Sequence, residues 1–329
     1  MRKAYIVDYE LYIPSTYVDY KQLALETGLP DWVVRDKLGI SRKPIERSLS
    51  VSDMAKLVAK KLMSKYGNLK IDLVVYAGSD FKDKYVWDVA PDVIGHLGLS
   101  NAYGVDVSMQ CVSSIVALDL LKPRLAIKDE DSYILLVSAT KQSMIVNYRD
   151  KASTFMYDFS DGAAAVLLSN VDGKYEVLES SIITDGRFSN VVHQRLGERF
   201  INDYNQGYLL QVNRNEEFNK SFEEISLRNF LYVIKNALER SGLTINDVDY
   251  FAILHMKRSF HDRILKELGV SSDKSIYLEN YGHMQAVDPF LSLWLAEQSG
   301  KVRKGSIIVL VAAGTGWTWG GATVLQRVE

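Results

Sequence analysis

The chain has 329 residues, 47% of them hydrophobic, which is enough for a large buried core and excludes disorder as its main state. Its 39 Lys and Arg against 41 Asp and Glu leave a formal charge of −2, so there is no basic excess to bind a nucleic-acid backbone. A single cysteine excludes an internal disulfide and any multi-thiolate metal site, and it suits a reducing compartment.

The N-terminus begins with basic residues, but Asp8 and Glu10 interrupt the apolar run too early for a secretory signal, so a cytoplasmic location is expected. Apolar runs of strand length then alternate with helical patterns. Residues 71–78 read as a buried strand, and residues 103–107 as a strand that leads through a tight turn into a helix over 111–121. Residues 133–137 and 163–168 add two further strands. Residues 182–213 are polar and irregular, and suit either a substrate-facing insertion or a surface excursion. Beyond them come strands over 248–255 and 275–279, a helix over 284–297, and strands over 307–311 and 321–325. The uncharged stretch 306–326 is long enough to span a bilayer, but its four glycines and its threonines make it two core strands joined by a turn, so no membrane span is predicted.

Laying the second half on the first with a shift of about 170 residues aligns these elements in order, a period that marks an internal repeat. The expected architecture is α/β, with a half at 1–170 and a half at 171–329 related by a pseudo-twofold axis.

In α/β sheets, ligands gather beyond the carboxyl ends of strands, where helix N-termini point unpaired N–H groups. Three reactive residues occupy such positions. Cys111 opens the first-half helix, His255 closes the strand 248–255, and His283 precedes the second-half helix, near the repeat equivalent of Cys111. If the halves pack about their axis, thiol and imidazole converge in the arrangement that yields a thiolate nucleophile. Met109, Val112 and Ile115 around Cys111 equally suit a small core hydrophobe. His255 also reads as a core histidine, and His283 as a helix cap. His96, His193 and His261 are assigned to loops or polar helical faces, without a role. No Cys and His spacing completes a tetrahedral metal set, so no metal is expected. The run Gly314-Thr315-Gly316-Trp317-Thr318-Trp319-Gly320-Gly321 has the wrong glycine spacing for a nucleotide loop and leads into a strand.

Five blocks carry a resemblance that runs from about Ala4 to Arg327. They are Tyr12-Ile13-Pro14, then Asp31-Trp32-Val33-Val34-Arg35 leading to Gly39-Ile40-Ser41-Arg42, then Asp106-Val107-Ser108-Met109-Gln110-Cys111, then Asp161-Gly162-Ala163-Ala164-Ala165-Val166, and finally Gly314 to Gly320. With these the chain resembles the β-ketoacyl-(acyl carrier protein) synthase III enzymes, condensing enzymes of the thiolase fold. The resemblance implies a layered αβαβα arrangement with mixed sheets and a homodimer. It implies that Cys111 accepts an acyl group from a thioester, with its own N–H and that of Thr315 forming the oxyanion hole. His255 would then help to stabilise the enolate left when a malonyl thioester loses carbon dioxide. Trp32 matches the aromatic that stacks on the adenine of coenzyme A, and Lys151 falls where a basic partner for that nucleotide lies. No resident cofactor is implied, because coenzyme A or phosphopantetheine thioesters are the substrates and acyl-CoA or acyl carrier protein the partner.

The chain departs from this pattern at two places. Tyr281-Gly282-His283 stands where the family has His-Gly-Asn, and Met256-Lys257-Arg258 follows His255 in place of Gln-Ala-Asn. Lys257 and Arg258 suit a phosphopantetheine or an acidic carrier surface, and equally solvated surface charge. A Cys-His-His set is similar to that of other decarboxylating condensing enzymes, which favours condensation. Relatives that pass the acyl group from cysteine to an alcohol or amine are similar in having a histidine followed five residues later by aspartate, as His283 and Asp288 are. That pairing needs an irregular helix start, which Pro289 favours; otherwise Asp288 is a helix cap. A non-catalytic binding subunit is a third reading, opposed by the retention of Cys111 and both histidines.

Overall fold

The computed structural model describes residues 2–67, 69–194, 209–214 and 216–328. Of the irregular segment expected at 182–213, residues 195–208 therefore lie outside the described residues. In chain order the strands are β1 (Tyr5–Tyr12), β2 (Tyr17–Asp19), β3 (Arg42–Pro44), β4 (Leu73–Gly78), β5 (Tyr103–Ser108), β6 (Tyr133–Thr140), β7 (Gly162–Ser169), β8 (Tyr175–Thr184), β9 (Val192–His193), β10 (Gln211–Val212), β11 (Tyr250–Ile253), β12 (Ile307–Gly314) and β13 (Thr318–Arg327). The α-helices are α1 (Tyr20–Thr27), α2 (Val51–Met63), α3 (Val89–Leu97), α4 (Ser113–Ala126), α5 (Glu216–Arg240), α6 (Arg258–Glu267) and α7 (Asp288–Gln298).

Nine strands form one mixed sheet in the order β11-β12-β13-β8-β1-β7-β6-β4-β5. It consists of two half-sheets of matching connectivity, β1-β7-β6-β4-β5 and β8-β13-β12-β11, joined where Tyr5 pairs with Glu176 and Ile6 with Tyr175. The interior strands are apolar on both faces because both faces are covered: Leu73, Val75 and Ala77 enter one core, while Val74 and Tyr76 enter the other. Helices α2 and α3 cover the outer face of the first half and α5 that of the second. Helix α4 touches β4, β5 and β6 as well as β8, β12 and β13, so it lies between the halves and completes the αβαβα layering. The uncharged stretch near the C-terminus is the β12–β13 hairpin, and among the described residues no helix is long and apolar enough to cross a membrane.

One expectation about the repeat needs correction and another refinement. Residues 275–279 do not form a strand, because their backbone partners lie elsewhere. Ile276 N–H donates to the Tyr250 hydroxyl at 3.1 Å, and Glu279 O accepts from Ser41 and Arg42 N–H at 2.8 and 3.2 Å, so no edge is left to pair with β11. Second, Cys111 and His283 are near-equivalents, as expected, but not in the same register. Gln110 and Gln285 share a left-handed backbone, with φ of 56° and 55°, just before the helices α4 and α7. This register matches Cys111 to Ala286, and His283 lies three residues earlier.

A polar cluster pins the halves together. Glu297 of α7 accepts from Tyr9 of β1 at 2.6 Å and Tyr175 of β8 at 2.5 Å, and pairs with Arg327 of β13 at 3.1 Å. Burial and the Glu297 charge push the Tyr9 hydroxyl far above its usual pKa, so it stays a neutral donor. Glu297→Ala strands these donors, and we expect a loss of about 2–3 kcal/mol in urea denaturation with an unchanged slope. An unmoved midpoint would show that apolar packing alone holds the seam.

Candidate active site

The turn that carries Cys111 is stitched to the end of β4. Met109 N–H donates to Ser113 Oγ at 2.9 Å, and that hydroxyl lies 2.7 Å from both Gly78 O and Gln110 O. Gln110 takes its left-handed conformation at this bend, a cost of about 1 kcal/mol that packing must offset. Cys111 follows in a single 3-10 turn, Gln110–Val112, immediately before α4, and is buried. Gly314 at the end of β12 leans directly on this turn. A Cβ there would meet Met109 O at 2.6 Å and the Cys111 and Val112 nitrogens at 3.2 Å, so only glycine lets the 314–316 turn, with Thr315, come so close.

His283 reaches Cys111 from the other half. Its segment lies along Phe159, with His283 N–H donating to Asp158 O at 2.8 Å and Ser160 N–H to His283 O at 3.0 Å. A Cβ at Gly282, whose φ is 63°, would sit 2.4 Å from Asp158 O, so this approach also requires glycine. The imidazole Nδ1 lies 2.6 Å from Asp288 Oδ2, which leaves Nε2 to face Cys111. The irregular helix start that this pairing needs is present as the 3-10 turn Gln285–Val287. Asp288 also accepts from Met284 N–H at 2.7 Å and His255 N–H at 2.8 Å, so it anchors the backbone ahead of α7 as well as orienting the ring, and it makes no cap bond to α7 itself. Burial opposes charge on His283, yet the facing Cys111 and Asp288 carry its pKa well above the usual histidine value. The stability this contact supplies is therefore complete below the ordinary histidine pKa and is lost as pH rises through the folded one.

His255 follows β11 and faces other partners. Its Nδ1 lies 2.7 Å from Asp158 Oδ2 and its Nε2 3.2 Å from Gly39 O. Asp158 escaped the sequence reading. Its one signal is a charge inside the apolar run Phe155-Met156-Tyr157-Asp158-Phe159, where an unpaired acid is costly. Lys43 was missed as well. It is fully buried, donates to the Tyr148 hydroxyl and to Tyr157 O and Phe159 O, and burial pulls its pKa down to about 8.

Cys111, His255, His283 and Thr315 line one cavity of about 420 Å³, together with Asp158. Its remaining wall is largely aromatic and aliphatic, with Phe222, Phe230, Phe260, Trp317 and Trp319 prominent. Lys257 lines it as well. Arg258 lies outside the lining; it pairs with Glu279 at 2.5 Å and stacks on Tyr277. Trp32 and Lys151 also lie outside the lining, exposed on segments whose neighbours Leu38, Thr154 and Phe155 reach the wall. His261 is not on a polar face: it is buried against Tyr277, and desolvation holds its pKa down at about 4. Among the described residues no group of three or more His, Cys, Asp or Glu is placed to hold a metal ion.

Comparisons with known proteins agree with this geometry. A sequence profile described as 3-Oxoacyl-[acyl-carrier-protein (ACP)] synthase III matches residues 105–186, and the profile of its C-terminal part matches residues 238–325. A beta-ketoacyl-[acyl-carrier-protein] synthase III of Phocaeicola vulgatus is 25% identical over 95% of this chain and 93% of its own length. One of Clostridium perfringens is 27% identical over 98% and 99%. The solved structure of 3-oxoacyl-(acyl carrier protein) synthase III from Pseudomonas aeruginosa superposes with a TM-score of 0.87 at 20% identity, covering 100% of this chain and 99% of that one. Fold and site thus define a thiolase-fold condensing enzyme. The chain belongs to the 3-oxoacyl-(acyl carrier protein) synthase III-like family.

Asp288→Asn removes one of the charges that keep His283 protonated and so weakens its pairing with the Cys111 sulfur. Alkylation of Cys111 by iodoacetamide at about pH 7 should slow roughly tenfold, followed by intact mass. An unchanged rate would reduce Asp288 to an anchor for the backbone of His255 and Met284.

Proposed function

We propose that the protein loads an acyl group from a thioester onto Cys111 and condenses it with a malonyl-type thioester, releasing carbon dioxide. The observation that carries this reading is the chain Cys111–His283–Asp288 in an apolar cavity beside the glycine turn that holds Thr315. In the first half-reaction the Cys111 sulfur attacks the thioester carbonyl. The charge on its oxygen is met by the N–H groups of Cys111 and Thr315, an effect worth about 3 kcal/mol per donor. The departing thiolate takes the proton from His283. In the second, the malonyl thioester sheds carbon dioxide, and His255 donates to the enolate oxygen that results. The enolate carbon attacks the acyl-Cys111 carbonyl, the carbon–sulfur bond breaks, and a 3-oxoacyl thioester leaves. These steps use no resident cofactor. Coenzyme A or an acyl carrier protein brings the substrate, with Trp32, Lys151 and Lys257 around the mouth as its contacts.

The 2.6 Å contact between His283 and Asp288 supports a second reading, transfer of the acyl group to an alcohol or amine. Acylation neutralises the sulfur, the first of the groups that raise His283, and so frees the imidazole to accept a proton from such an acceptor. Mixing with acyl-CoA should add one acyl group to the intact mass, and Cys111→Ser should show none. Carbon dioxide release from malonyl-CoA by the acyl-enzyme is expected; acyl loss to an acceptor hydroxyl without it would replace condensation by transfer.

The homodimer is part of the same proposal. Strand β5 is a sheet edge whose Tyr103 and Val105 are exposed, beside the exposed Tyr85 and Val86. Pairing of β5 with its copy continues the sheet. Sedimentation should give a dimer, and Val105→Lys a monomer; a monomeric wild type contradicts this.

A further inference from the structure

The cavity holds a second carboxylate–imidazole pair that the family resemblance does not account for. Asp158 is buried, its Oδ2 lies 2.7 Å from His255 Nδ1, and its Oδ1 has no hydrogen-bond partner among the described residues. The other ring nitrogen, Nε2, lies 3.2 Å from Gly39 O. With Asp158 ionised, carboxylate and carbonyl oxygens only accept, so a ring between them satisfies both contacts with a proton on each nitrogen. A neutral ring bonded to Asp158 through Nδ1–H presents a bare lone pair at Nε2, which can donate to nothing.

We propose that Asp158 is a positioning residue that holds His255 as an imidazolium. The cavity then contains two carboxylate–imidazole pairs with separate tasks: His283 with Asp288 serves the loading of Cys111, and His255 with Asp158 supplies an Nε2–H donor that the enolate oxygen takes over from Gly39 O. The division of tasks rests on the condensation reading above; the charge state of His255 does not.

The surroundings support the pairing. An isolated cation at a side chain as buried as His255 is costly, and the Asp158 charge compensates it in place. The neighbouring Tyr277 ring, 5.0 Å away, turns its hydroxyl to Met256 O at 2.7 Å. His261 of α6 is kept neutral by burial and adds no competing charge. Asp288 accepts the His255 backbone N–H, while Arg258 is held by Glu279 over Tyr277. Lys43 donates to Tyr157 O and Phe159 O, the carbonyls on either side of Asp158, and so anchors the segment that aims the carboxylate.

Two readouts test this. In ¹⁵N-histidine-labelled protein at about pH 8, both His255 ring nitrogens should carry protons, and in Asp158→Asn only one. Asp158→Asn should leave Cys111 self-acylation by acyl-CoA at the wild-type rate but lower carbon dioxide release from malonyl-CoA about 100-fold. Asp158→Glu should keep most of the activity. A neutral His255 in the wild type, or equal losses in both half-reactions of Asp158→Asn, overturns the proposal. A wild type with a doubly protonated His255 that acylates but releases no carbon dioxide overturns the condensation reading and leaves the charged pair standing.

Discussion

Asp288 is the group on which the arrangement of the site depends. It has no exposed surface and accepts three hydrogen bonds, from the backbone of His255, the backbone of Met284 and the ring of His283. Those donors belong to the end of β11, the start of the turn before α7 and the imidazole that meets Cys111. One carboxylate thus fixes a strand end, a helix start and a reactive ring relative to each other. A buried negative charge is tolerated there because three donors and a protonatable ring surround it.

The close approach of the two halves imposes further constraints on the backbone. Cys111 and His283 come from opposite halves, and each is delivered by a turn that tolerates little side-chain bulk beside it. Gly314 admits the Thr315 turn against the Cys111 backbone, and Gly282 admits His283 alongside Phe159. The left-handed glutamines at positions 110 and 285 mark the same bend in both copies of the repeat, yet only one copy follows it with a thiol. Duplication supplied the architecture, and divergence at single positions supplied the chemistry.

The charges around the cavity are nearly all matched. Asp158 meets His255, Asp288 meets His283, and Lys43 lies between backbone carbonyls. Asp161 accepts from Glu46 N–H and Ser143 Oγ, both at 2.8 Å, although burial raises its pKa to about 6. The aromatic wall keeps the local dielectric low, so each pairing is worth more than in water and each unmatched charge costs more. This explains why a site built on a reactive sulfur carries so many ionisable groups beneath its surface.

Much of the fold was legible in the sequence. Apolar runs with the period of buried strands located β4, β6, β7, β11, β12 and β13, and their repetition revealed the two halves, because both signals are local and both copies obey the same packing rule. Cys111, His255 and His283 were found by position alone, each at the end of an element where α/β proteins bind ligands. The strand expected at 275–279 failed because its hydrogen-bond partners come from Ser41, Arg42 and Tyr250, which no local pattern announces. Asp158 stood out only as a charge in an apolar run, and its role was hidden for the same reason: it lies 97 positions from His255 in the chain, and its meaning depends on a contact made only after folding. Periodicity and motif determined the elements and the nucleophile. The spacing of His283 and Asp288 announced their pairing, but only tertiary packing decided that Asp158 meets His255, since a hydrogen bond between residues 97 positions apart is not named by either segment.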